Sequence, residues 1–516
     1  MGFVSVFNDV LGPIMRGPSS SHTAGAYRIG RMVRSLLGDD PASVRVTFDP
    51  TGSYAPTYVP LGVDLALTAG LMGWSMLDER YFEALSRAKA EGVTIAFAVA
   101  PLAHTDHPNG VRVQAESREG RCLDTVAEAG GGGVIRFVRI GEWPVEVDGK
   151  SHVVLVEANT GTEPEASALL GEEESLLTAL GRRETDGSVL LHAQRARPPR
   201  PEHVERLRAL DGVTGVWTSK PVFYVRAGRS LFASGAEMIA VAEARGESLG
   251  RATLSYESEI LGLSEAEVLE EMLRRLEVME RSARFGLEDD RVDMLLLAPT
   301  ASRVFRAESQ GALPVGGIHT RAAARSMAVM HCCNSRGVVC AAPTGGSAGV
   351  VPGVVLSLVE DRSLSREGAA LALFAASGIG LIVAKRASFA AELAGCQVEI
   401  GVAGAMAAAA VVESAGGTAR QAADAATISL QNTIGSPCDP VAGACEVPCH
   451  TRNAVAASSA FTCADLILGG YSNPIPLDET IDASYAVGRA LPRELRCTAE
   501  GGLAVTPSAR ALPRSR

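Results

Sequence analysis

Residues 368–384 read GAALALFAASGIGLIVA, and residues 400–412 read IGVAGAMAAAAVV. Neither run contains a charge, and Ala and Gly supply nine of the 17 residues in the first and eight of the 13 in the second. The first is 17 residues long and bounded by Glu367 and Lys385. That is the low edge of the roughly 17–25 residues a membrane span needs, and the second run is shorter. Apolar on every face, both read as helices buried within a helical domain. Small side chains let such helices cross closely. The surrounding segment, Arg321 to Ala464, has the same composition and shows no strand pattern. A mostly α C-terminal domain over residues 227–516 is therefore predicted. Its helices are expected to break at Pro343–Gly346 and Pro352–Gly353.

N-terminal to this domain the pattern changes. Helical periodicity over Ala24–Leu37, Ala66–Leu77 and Arg80–Ala90 alternates with strand-like runs. Those runs are Val44–Phe48, Thr94–Val99, Val111–Ala115 and Val134–Ile140, which imply an α+β domain over residues 1–148. Residues 149–226 read as strand Val153–Glu157, helix Glu165–Leu180, strand Ser188–Gln194, helix Glu202–Leu210, and closing strands Val213–Thr218 and Val222–Val225. That is the βαββαβ order of a small ferredoxin-like domain. Three domains suit 516 residues at roughly 100–200 residues each.

Composition narrows the function. Net charge is −11, which argues against a nucleic-acid partner. The N-terminus lacks a basic region followed by an apolar core, so a cytoplasmic chain with reduced thiols and no membrane partner is expected. Of ten cysteines, only Cys122 precedes residue 330. Thiols gathered in one domain are either small core residues or metal ligands.

Four segments carry chemistry. Ser19, Ser20, Ser21, His22 and Thr23 precede a helical pattern, where they would cap the helix or bind an anion. His107-Pro108-Asn109 reads as a turn or as a site for a general base. Thr344-Gly345-Gly346-Ser347 lies in a Gly-rich break, suited either to a helix connection or to a carboxylate. It lacks the Lys-Ser/Thr of a phosphate loop. Cys396, Cys438 and Cys449 have no CxxC spacing, and Cys332, Cys333, Cys340, Cys445 and Cys463 compete with them as ligands or core residues.

The runs GPSSSHTAG (17–25), HPN (107–109), AAPTGGSAG (341–349), GCQVEIGVAGAMAAAA (395–410), CDPVAGACEVPCHTRNA (438–454) and TAEGGLAVTPSA (498–509) together resemble the iron–sulfur L-serine dehydratases. The resemblance covers nearly the whole chain, in the order β-type, ACT-like, α-type. It implies a [4Fe–4S] cluster on Cys396, Cys438 and Cys449 with one iron left open as a Lewis acid, and Cys497 as a candidate fourth ligand. It implies substrate binding by Ser19, Ser20, Ser21, Thr23, Ser53, Asn109, Thr344, Gly346 and Ser347. His22 and His107 are the candidate catalytic imidazoles. L-serine would be dehydrated and deaminated to pyruvate and ammonia by a homodimer, between the first and last domains.

Two departures stand out. Leu61 occupies the place where the family carries a candidate base histidine, so elimination on another β-substituted amino acid, or binding without turnover, are the alternatives. The ACT-like region has Ala158-Asn159-Thr160-Gly161-Thr162 at its first turn, not the Asp-x-Pro-Gly-like turn of effector-binding ACT domains.

Overall fold

The computed structural model describes residues 3–172, 176–177, 181–185, 187–288 and 292–512. It divides into two compact units. One is Ser21–Ala227; the other joins Gly228–Arg516 with the N-terminal segment through Ser20.

The second unit is helical. Helices Arg366–Arg386 and Ile400–Ser414 pack against each other at its centre. Every residue from Ile400 to Val412 is buried. Helix Arg366–Arg386 and the segment Cys396–Ser414, which includes the second helix, are long and apolar enough to cross a membrane, but most of each is buried inside the protein, as expected of core helices. The glycines explain how the layers close up. A Cβ at Gly286, on helix Glu265–Glu288, would lie 1.9 Å from the Ala328 carbonyl oxygen of helix Ile318–Asn334. Only glycine permits that approach.

The N-terminal segment corrects the predicted 1–148 domain: residues through Ser20 fold with the helical unit. Val6, Phe7, Val10 and Leu11 are buried, and Phe7 packs on Phe374 with ring centroids 6.4 Å apart. The buried Glu257 carboxylate accepts hydrogen bonds from Ser5 Oγ (2.6 Å) and the Val6 and Phe7 amides (2.8 and 3.1 Å). Strand Ile14–Arg16 pairs antiparallel with Val338–Cys340, a strand within the stretch read as strand-free. Three residues are too few for a readable alternation. Pro343 lies in a break as predicted, but Pro352 and Gly353 sit in the first turn of helix Val350–Asp361, where proline removes no helical hydrogen bond.

The Ser21–Ala227 unit holds two sheets. The six-stranded sheet runs in the order Thr94–Val99, Pro41–Phe48, Gly110–Ser117, Cys122–Ala129, Ile135–Ile140, Trp143–Val147. The first pair is parallel and the rest antiparallel. Strands Cys122–Ala129 and Trp143–Val147 have no counterpart among the strand-like runs of the sequence. Helix Ala24–Leu37 falls where its periodicity placed it. Helix Val63–Leu71 is shorter than predicted and starts earlier.

The four-stranded antiparallel sheet has the order Val213–Ser219, His152–Asn159, Ser188–Arg195, Gly181–Thr185. Helices Glu163–Gly171 and Pro201–Arg208 complete a βαββαβ sequence of elements. The expected helix 165–180 ends early: the Leu177 amide donates to Gln194 O (2.9 Å), so residues 176–177 run beside a strand. Residues 173–175 and 178–180 of that expectation lie outside the described residues. Val222–Val225 is not a strand.

Candidate active site

Cys396 opens a single 3₁₀ turn, Cys396–Val398, after Gly395 at φ +74°. The next residue, Glu399, leads into the buried helix Ile400–Ser414. The Cys396 and Cys438 sulfurs and a Glu399 carboxylate oxygen all lie within 4.8 Å of one another. The tail closes on the same place. The Cys438 amide donates to Leu495 O (2.8 Å), and the Cys497 amide donates to Cys438 O (2.7 Å). The Cys497 thiol meets that of Cys438, although the residue is otherwise exposed. Its φ of +63° is unusual for a side-chain-bearing residue.

Cys449 begins helix Cys449–Leu468, and its thiol hydrogen-bonds that of Cys445. The sequence leaves Cys445 open as a ligand or a core thiol. Here it is half-buried, 3.4 Å from where a Cβ on Gly346 would stand. Glu399 also acts electrostatically on Cys445, so this carboxylate faces both thiol groups. Hydrogen bonding to Cys396 and Cys497, then burial, raises the Cys438 thiol pKa well above its usual value. Cys333, Cys340 and Cys463 are buried. Cys333 Sγ lies on the carbonyls of Pro18 (3.6 Å) and Gly345 (3.4 Å) as a packing group.

The Gly-rich break is built against this centre. Thr344 Oγ1 donates to Glu399 Oε1 and lies 3.1 Å from Ser347 Oγ. A Cβ on Gly346 would stand 2.6 Å from Glu399 Oε1, so glycine is what lets the loop reach the carboxylate. Asn453, fully buried, clamps the loop: Nδ2 donates to Gly346 O (2.8 Å) and Cys449 O (2.9 Å), and Oδ1 accepts from the Gly349 amide (3.3 Å). Burial pushes Glu399 up to about 7, against the opposing hydrogen bond from Thr344.

The polar run splits at the unit boundary. Ser19 and Ser20 belong with the helical unit, where the Ser20 amide lies near Gly345; Ser21, His22 and Thr23 belong with Ser21–Ala227. In the latter unit His22 lies between two hydroxyls, Nδ1 3.1 Å from Ser21 Oγ and Nε2 3.3 Å from Ser53 Oγ. Its ring stands edge-on to Tyr54, whose hydroxyl donates to Ser21 O (2.7 Å). Burial lowers His22 to about 4, leaving a neutral imidazole at physiological pH. The Ser53 amide donates to Pro108 O (2.6 Å), bringing the HPN turn to the same place. His107 Nδ1 accepts the Asn109 amide (3.1 Å), a turn-forming role. Asn109 is buried; Nδ2 donates to Ala129 O (3.0 Å), and Oδ1 has no partner among the described residues. Leu61 is half-buried in the turn before helix Val63–Leu71 and brings no proton-transfer group.

The buried thiols of Cys396, Cys438 and Cys449, with the Glu399 carboxylate beside the first two, are the donor chemistry of a centre that holds a metal or an iron–sulfur group. The Ser21–Ala227 unit bears hydroxyls and a neutral imidazole of its own. The chain belongs to the serine dehydratase alpha chain family, which matches residues 198–504. It is 38% identical over 284 residues to a probable L-serine dehydratase alpha chain of Bacillus subtilis, covering 55% of this chain and 95% of that one. It is also 39% identical over 159 residues to the probable beta chain of the same organism, covering 31% of this chain and 70% of that one. Regions similar to both chains thus stand in a single polypeptide. L-serine dehydratase TdcG of Escherichia coli is 38% identical over 176 residues, 33% of this chain and 38% of that one.

Proposed function

We propose that this chain converts L-serine to pyruvate and ammonia with a [4Fe–4S] cluster held by Cys396, Cys438 and Cys449. The observation that carries the reading is the meeting of the Cys396 and Cys438 sulfurs beside Glu399, with the Cys449 helix tied by Asn453 to the Gly-rich loop. A bound cluster with an open iron supplies Lewis-acid assistance to departure of the serine hydroxyl, otherwise a poor leaving group.

The chain's own groups do the rest. We assign substrate contact to Thr344, Gly346 and Ser347, whose loop is held against Glu399 by the Thr344 hydroxyl, and to Ser19, Ser20, Ser21 and Thr23 of the polar run. Ser53 holds the neutral His22 ring, which can accept a proton at Nε2; Asn109 Oδ1 is a free acceptor for the substrate ammonium. Glu399, hydrogen-bonded by Thr344, can hold or release a proton near neutrality. The aminoacrylate released by elimination tautomerises and hydrolyses without further help. We assign the four-stranded βαββαβ region as an ACT-like docking module, and the protein as a cytoplasmic homodimer.

Anaerobic reconstitution with iron and sulfide should yield a brown chromophore, four irons per chain, and pyruvate from L-serine. A full cluster without product from L-serine would remove the substrate assignment. Because Leu61 stands at a family histidine position, threonine and β-substituted alanines belong in the same assay; faster ammonia release from one of them transfers the chemistry to that substrate.

A further inference from the structure

Arg452 sits on the first turn of helix Cys449–Leu468, three residues after a proposed ligand. Its Nη1 donates to Cys396 Sγ at 3.5 Å and to Pro437 O at 2.8 Å. Its Nη2 ion-pairs with Asp439 at 2.9 Å. Pro437 and Asp439 are the residues either side of Cys438. Asp439 is itself fixed, since Oδ2 accepts the Leu503 amide at 2.8 Å and its side chain is 3% exposed. One planar fork, rooted in the Cys449 helix, therefore reaches the Cys396 sulfur and brackets Cys438. Lysine, with a single point charge on a flexible stem, cannot span those three positions.

We propose that Arg452 is a positioning residue that draws the Cys396, Cys438 and Cys449 segments into one cluster-binding geometry and, through its N–H···S contact with Cys396, raises the reduction potential of the bound cluster. This rests on the cluster reading above. Two physical reasons support it. Hydrogen bonds to cluster sulfurs and the local net charge set the potential of such centres. Groups that orient ligands from outside the coordination sphere change metal affinity about 10- to 100-fold when removed. The contact supplies positive charge where thiolates accumulate negative charge, in a buried place where the carboxylates Glu399 and Asp439 add more.

The test compares reconstituted wild type with Arg452→Gln, Arg452→Lys and Asp439→Asn under anaerobic conditions. The readouts are iron and sulfide content, reduction potential by electron paramagnetic resonance titration, and rate of cluster loss to a ferrous chelator. R452Q should lose its cluster at least about tenfold faster than wild type and show a more negative potential. R452K should fall between them. D439N should speed cluster loss with a smaller change in potential, because the contact to Cys396 remains. Apo-protein circular dichroism and its thermal midpoint report folding separately. If Arg452 only braces the fold, R452Q lowers that midpoint while potential and cluster lifetime stay at wild-type values, and the proposal is overturned. A wild type that takes up no iron or sulfide overturns the function reading and this one together. A cluster-bearing wild type matched by R452Q overturns this one alone.

Discussion

Asn453→Ala isolates the clamp that joins the Gly-rich loop to the Cys449 helix. The wild-type amide is fully buried and makes hydrogen bonds to Gly346 O, Cys449 O and the Gly349 amide. Alanine leaves the Gly346 carbonyl and the Gly349 amide facing the space the side chain vacated. Each orphaned buried group costs about 1–3 kcal/mol, so the pair costs about 2–6 kcal/mol. A water entering the vacancy recovers part, giving an expected loss of about 3 kcal/mol. Asn453→Asp keeps the acceptor for Gly349 but sets a carboxylate oxygen against the Gly346 carbonyl, so its loss should be at least as large. The assay is urea unfolding with two probes. All three tryptophans, Trp74, Trp143 and Trp217, lie in the Ser21–Ala227 unit, so far-UV circular dichroism follows the helical unit while tryptophan fluorescence follows the other. Two probes are needed because a two-unit chain need not unfold in one step. The dichroism transition should move to lower urea. A change under about 1 kcal/mol for both variants would refute the clamp. In the same variants the KM for L-serine should rise, since Thr344 and Ser347 are carried on the loosened loop.

Glu257 makes stability depend on pH. Burial raises its pKa from 4.5 to about 7, outweighing the hydrogen bonds from Ser5, Val6 and Phe7. Between these values the folded state binds more protons than the unfolded chain, so the helical unit should lose up to about 3 kcal/mol as pH rises from about 4.5 to 7. Glu257→Gln should flatten that slope in pH-dependent urea titrations; an unchanged slope would assign it to other groups. Gly346→Ala places a Cβ 2.6 Å from Glu399 Oε1. It should lower kcat/KM at least about tenfold, equivalent to about 1.4 kcal/mol of transition-state stabilisation, with iron content retained. Single serine substitutions at Cys396, Cys438 and Cys449 should each abolish iron retention on gel filtration, whereas those at Cys332, Cys340 and Cys463 should keep it. The opposite pattern would reassign the ligands.

Much of this was legible in sequence, for particular reasons. Helix Ala24–Leu37 has one apolar stripe and a Gly stop, and its bounds follow from those alone. The two Ala/Gly-rich runs are apolar all round, which only a buried helix satisfies in a chain rich in small residues. Strand Cys122–Ala129 escaped because its middle, Asp124-Thr125-Val126-Ala127-Glu128, carries two acids that pair across the sheet with Arg112 and Arg136. The pattern looked polar because its compensating charges lie on other strands.

The site divides in the same way. Runs such as GCQVEIG and CDPVAGACEVPCH carry their cysteines by local motif, and motif is a property of sequence. Three features came only from the tertiary structure. Residues through Ser20 belong with the helical unit, Cys497 lies against Cys438, and Glu399 lies among the thiols with Arg452 on Cys396. Each depends on groups far apart in the chain. Periodicity records which face of a segment is apolar, and therefore which segments are buried. Which partner covers that face, and which side chains then meet, is settled by close packing and by the need of every buried polar group for a partner supplied from elsewhere.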